Sequence, residues 1–113
     1  MKKEDLAELK SLLKEDKQLK SLIKRISSRK RITERAMEKL NNLNAQRDSL
    51  AEKMKPLQDM VSSESASFHD PIMELSINLY YHGDTIKQIR ETLDYSEAHM
   101  IRILQEAEGL LIS

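Results

Sequence analysis

Residues 86–104, IKQIRETLDYSEAHMIRIL, decide how the C-terminal part of this chain folds. Ile86, Ile89 and Leu93 recur at the spacing of one helical face, and Met100, Ile103, Leu104 and Ala107 do so again just beyond. Between them, Asp94 tolerates a left-handed backbone and Ser96 supplies a hydroxyl that caps a new helix. Two short amphipathic helices across so tight a turn predict a helix-turn-helix. The second of them, running to about Leu110, would turn Glu97, Ala98, His99, Ile101 and Arg102 outward.

Upstream, Asp70-Pro71 reads as a helix start, the carboxylate capping and the proline occupying the first turn. Ile72, Leu75 and Leu79 are expected to carry the buried stripe of this helix, with Tyr80 beside it. His82-Gly83-Asp84 then turns the chain, with Gly83 taking a left-handed conformation and Asp84 capping the helix from Thr85 to Leu93. Residues 70–113 therefore form a small three-helix head.

Residues 1–61 read as a long helical arm. Leu12, Leu19, Leu22, Ile26, Ala36, Leu40, Leu43, Leu50, Met54, Leu57 and Val61 keep one alternating 3–4 frame, with Glu15, Arg29, Thr33 and Arg47 as its polar positions. So long a frame argues for a coiled-coil seam. Two topologies fit: one helix of ~85 Å at ~1.5 Å per residue, or an antiparallel hairpin of helices 4–26 and 31–60 reversing near Ser27-Ser28. Serines compete with the helical backbone and favour the break, although neither Gly nor Pro marks a turn. A homodimer is the expected means of burying the seam, through Leu12, Leu19, Leu22, Ile26, Leu40, Leu43, Arg47, Leu50, Met54 and Leu57. Arg47 in that frame either specifies register or lays its stem along the seam with its head in solvent. Pro56 predicts a kink or stop around Lys55, and the polar run through residues 62–69 reads as a linker.

The expected class is all-α, a long arm followed by a helix-turn-helix head. Charged residues make up 34% of the 113 and aromatics only 4%, so apolar stripes between helices must supply the burial. Cysteine is absent, which excludes disulfides and thiolate metal sites. The three histidines are widely separated, so no metal site is expected. No glycine-rich loop exists to cradle a nucleotide, and neither a cofactor nor an enzymatic activity is expected. No apolar run approaches the ~18 residues of a membrane span. A cytoplasmic protein is the expectation.

The net charge of zero hides an asymmetry: residues 1–69 hold 16 basic and 11 acidic side chains, whereas residues 70–113 hold three and eight. The head therefore carries −5, and Lys24, Arg25, Arg29, Lys30, Arg31 and Arg35 form the densest basic block of the arm.

The stretch LYYHGDTIKQIRETLDYSEAHMIRILQEAEGLL resembles the C-terminal DNA-binding region of sigma factors. More specifically, it is similar to bacteriophage late-gene transcription regulators of the RinA/ArpU type, in Leu93, the Tyr95-Ser96 pair, Met100 and Ile103. The resemblance covers residues 70–112, and Arg90 and Asp94 stand where the family carries a small residue and a turn glycine. It implies a phage or prophage-borne regulator in a bacterial host cell, meeting promoter DNA and RNA polymerase or another regulator. Lys87, Ser96, Glu97, His99 and Arg102 are then the expected DNA contacts of the head, and Lys24, Arg25, Arg29, Lys30 and Arg31 those of the arm. Because affinity for DNA rests chiefly on Lys and Arg against phosphates, so acidic a head predicts weak binding. The alternative is a protein-interaction module, an antagonist or adaptor that keeps the fold without binding DNA.

Overall fold

The computed structural model describes residues 1–113 and is all-helical, with five helices and no strand. Helix α1 (Lys3–Ser27) and helix α2 (Glu34–Ser65) lie antiparallel. Contacts between Asp16 and Arg47 and between Met1 and Glu64 fix that direction. The arm is thus the hairpin. Ser27 and Ser28 end α1 by donating their hydroxyls to the carbonyls of Ile23 (2.7 Å) and Arg25 (3.1 Å), which satisfies acceptors the last turn leaves free. Thr33, which falls in the seam frame, is instead the cap of α2, its Oγ1 accepting from the Ala36 amide.

The hairpin closes the seam on itself. Leu19, Ile26, Leu40, Leu43, Leu50, Met54 and Leu57, expected to join two copies, are buried within one chain, and Leu12 packs against the same core. Only Leu22 stays exposed. Arg47 is held within the chain: its Nε and a terminal nitrogen donate to the two carboxylate oxygens of Asp16 at 2.9 and 3.3 Å. That bidentate pair sits across the hairpin and pins its register. The hydrogen bond to Asp16 is the main cause holding the guanidinium above its ordinary pKa.

Pro56 does not stop α2, which continues through it to Ser65. The ring lies on the exposed side, and Met54, Leu57 and Val61 are buried to either side of it. The apolar contact therefore holds the helix across one missing backbone bond. The expected linker shrinks accordingly. Residues 62–65 are helical, and Ser65 is fully buried, accepting from Asn78 Nδ2 at 2.8 Å. Ser62 donates to Asn78 Oδ1 at 3.0 Å. Serines that read as a flexible run are the clip that docks the next helix.

Helix α3 (Pro71–Tyr81) starts as expected, with the Asp70 carboxylate accepting from the Ile72 and Met73 amides. Its buried face is rotated from the expected one. Ser76, Ile77 and Tyr81 are buried, whereas Leu75 is 43% exposed and Ile72 and Leu79 are only half-buried. The reason is that α3 packs on α2 as well as within the head, and the hairpin selects the face. Gly83 takes a φ of +115°. The cap of helix α4 (Ile86–Leu93) is Thr85 rather than Asp84: Thr85 and Gln88 exchange backbone-to-side-chain bonds at 2.8 and 3.2 Å in a capping box. Helix α5 (Glu97–Ile112) completes the chain.

One continuous cluster of 17 buried residues runs from Leu6 and Leu9 through the hairpin to Ile77, Tyr81, Leu104, Ala107 and Leu111. Arm and head therefore share a core. Ile89 and Met100, both fully buried, lie outside that cluster and belong to α4 and α5, which pack on each other.

Candidate nucleic-acid interface

The turn between α4 and α5 is built by three residues. Asp94 ends α4 in the left-handed region at φ 57°, ψ 45°, and the Tyr95 amide donates back to the Arg90 carbonyl at 3.2 Å. Ser96 caps α5 by accepting from the His99 amide at 3.3 Å. This is the geometry expected of the turn, with aspartate doing what glycine does at less steric cost. Replacing Asp94 by Val, whose branched Cβ suits that region badly, is expected to cost about 1–2 kcal/mol. Asp94→Gly is expected to cause no loss; thermal melts of the two variants check this.

Helix α5 turns Met100, Leu104, Ala107 and Leu111 inward. Its other side presents Glu97, Ala98, His99, Ile101 and Arg102, all exposed as expected. The His99 ring stacks on Tyr95, centroids 4.7 Å apart and planes 21° from parallel, so the imidazole is held at the start of α5. Lys87 is exposed on α4, and with Arg90 and Glu97 it lines a hollow of about 180 Å³ between the two helices. Arg90 is half-buried there, its long side chain accommodated where a small residue was expected. Ser96 is a cap first, its hydroxyl engaged by the His99 amide.

The second expected group lies elsewhere. Lys24 and Arg25 are on the last turn of α1, and Arg29, Lys30 and Arg31 are in the reversal at the tip of the hairpin. All five are exposed and none is in an ion pair; the chain's three pairs are Met1–Glu64, Lys10–Glu108 and Arg47–Asp16. No ion pair or hydrogen bond joins the tip to α4 or α5.

Two features escaped the sequence reading. One is a clip between head and arm: Tyr81 Oη donates to Glu108 Oε1 at 2.7 Å, and Glu108 Oε2 pairs with Lys10 Nζ at 3.2 Å. Burial, then the bond to Glu108, pushes the Tyr81 phenol above its ordinary pKa. Nothing in the local sequence joins residues 98 positions apart. The other is a hollow of about 290 Å³ that Lys10, Leu13, Lys14 and Lys17 of α1 line together with Tyr80 of α3. The 3–4 spacing of those lysines was legible, but not that the head lies beside them.

No helix is long and apolar enough to cross a membrane. Comparison with known proteins brought no match: no family model, curated protein or solved structure is significantly similar to this chain.

Proposed function

We propose that this chain is a transcription regulator of the phage or prophage type, acting in a bacterial host cell and meeting promoter DNA through α5. The single observation that carries the reading is the pairing of a capped helix with an unobstructed outward face. Ser96 caps α5 after a three-residue turn, and Glu97, Ala98, His99, Ile101 and Arg102 stand free on it. A helix so held can lie in a major groove with its N-terminal residues at base edges. The resemblance to RinA/ArpU-type regulators over residues 70–112 supports the same reading. RNA polymerase or a second regulator is the partner such a protein would meet at a promoter.

The hairpin buries its seam within one chain and shares its core with the head. A homodimer would add affinity by presenting two heads, and it would have to form on other surfaces. The exposed Leu22, Ile32 and Met37 at the far end of the hairpin are apolar residues free to do this.

Arg102→Ala is expected to weaken duplex binding by about 1–3 kcal/mol while helicity by circular dichroism stays unchanged. Fluorescence anisotropy with a labelled mixed-sequence duplex between ~50 and ~200 mM salt measures it. The −5 charge of the head favours a second reading, a module that binds a basic protein and not DNA. Absence of salt-sensitive duplex binding, with a stable protein complex in its place, would establish that one.

A further inference from the structure

Helix α1 separates its charges by side. Lys10, Lys14, Lys17 and Lys24 follow one another at spacings of four, three and seven, the repeat of one helical face, whereas Glu4, Glu8 and Glu15 share another. The structure puts the lysine side next to the head. Lys10, Lys14 and Lys17 line one hollow with Tyr80, and Lys17 and Lys20 border the His82–Asp84 turn that leads into α4. Lys14, Lys17, Lys20 and Lys24 are exposed and in no ion pair, and the row continues into the basic tip of the hairpin. The acids nearby are mostly engaged already: Glu108 by Lys10 and Asp16 by Arg47, leaving Asp84 alone on that border.

We propose that this lysine flank of α1 is a track for the phosphate backbone of the duplex that α5 reads. The inference rests on the DNA-binding reading and deepens it, because it names where the missing phosphate contacts lie. The head has only Lys87, Arg90 and Arg102 as cations. Three contacts give a salt slope, log affinity against log salt, of only about −2.7. Lys14 to Lys24 spans about 15 Å at ~1.5 Å per residue, the axial length of roughly four successive phosphates of one strand. Lysine also suits the task. Its ammonium is a point charge on a flexible stem, fit for phosphate and lacking the planar fork that reads a base. A linear row of such charges matches a repeating anion better than it matches an irregular acidic protein surface.

The test is the salt slope of duplex binding for the full chain and for a triple variant, Lys14→Gln, Lys17→Gln and Lys20→Gln. The three side chains are exposed, and Lys10 is left in place to hold Glu108, so the fold is retained; a far-UV melt checks it. A parallel triple Lys→Arg variant keeps the charge. The natural chain should show a slope steeper than about −2.7, and the glutamine variant a slope flatter by about 2–3 with sequence preference unchanged. The arginine variant should behave as the natural chain does. If the natural chain binds duplex and Arg102→Ala weakens it, but the glutamine variant keeps its slope, the track is overturned and the reading of α5 stands. No duplex binding by the natural chain at ~50 mM salt overturns both. Binding to polyglutamate as tight as to duplex overturns the nucleic-acid assignment in favour of an acidic protein.

Discussion

Leu9→Ala should lower stability by about 2–5 kcal/mol, and it should do so for the head as much as for the arm that contains it. Leu9 has no exposed surface and belongs to the cluster that continues through Val61 into Ile77, Tyr81 and Leu111. Truncating it removes apolar contact and leaves a cavity in that shared core. A chain of this size loses roughly 4 °C of melting temperature per kcal/mol, so a fall of about 8–20 °C follows. The tyrosines make the test sharp. All three, Tyr80, Tyr81 and Tyr95, lie in the head, so the tyrosine band of the near-ultraviolet dichroism follows the head. Far-ultraviolet dichroism is dominated by α1 and α2, with 25 and 32 helical residues. A shared core requires both signals to shift together. If the tyrosine signal of Leu9→Ala melts where the natural chain's does, arm and head are separate units. Leu110→Ala, at a position 52% exposed, is the control and should change little.

Tyr81→Phe carries the second large effect, on stability and on its pH dependence. The variant keeps the buried ring but deletes the hydroxyl that donates to Glu108 at 2.7 Å. A hydrogen bond to a charged acceptor contributes about 1.5–3 kcal/mol, and its loss leaves one Glu108 oxygen without that donor. The pH dependence follows from the raised pKa of the phenol, caused first by burial and then by the Glu108 bond. A phenol whose folded pKa lies above its unfolded value near 10 contributes stability that is complete below about pH 10. Above that the unfolded chain ionises first, and stability falls by about 1.4 kcal/mol per pH unit from this group. Urea midpoints at pH 9 and pH 11 should therefore separate more in the natural chain than in Tyr81→Phe. Equal separation would mean that Tyr81 is not held neutral in the folded head. The bond also ties the head to Lys10 through Glu108, so hydrogen exchange in α5 should rise in the variant.

Local chemistry was legible wherever the residues that act are neighbours in the chain. The Asp70 cap, the left-handed Gly83 and Asp94 and the Ser96 cap all depend on contacts within four residues, and each is legible in the sequence. Where two neighbours compete for one role, local reasoning chose wrongly: Thr85 caps α4 because Gln88 completes the box with it, which Asp84 cannot do. Arg47 was seen as a charge in the seam, but its partner Asp16 is 31 residues away and appears only when the chain folds back.

By itself the sequence determined the helices and the frame that makes them pack. The 3–4 spacing of leucines, the caps and the turn residues set local backbone conformation whatever the surroundings. The tertiary structure decided which surfaces those helices meet. A periodic apolar face specifies burial without naming its partner, and here the chain's own second leg, at high effective concentration, covers it. The same closure rotated the buried face of α3 toward Tyr81, turned the serines near residue 65 from a tether into a clip, and set the head beside the lysines of α1. These depend on contacts between residues far apart in the chain, and no local preference encodes them.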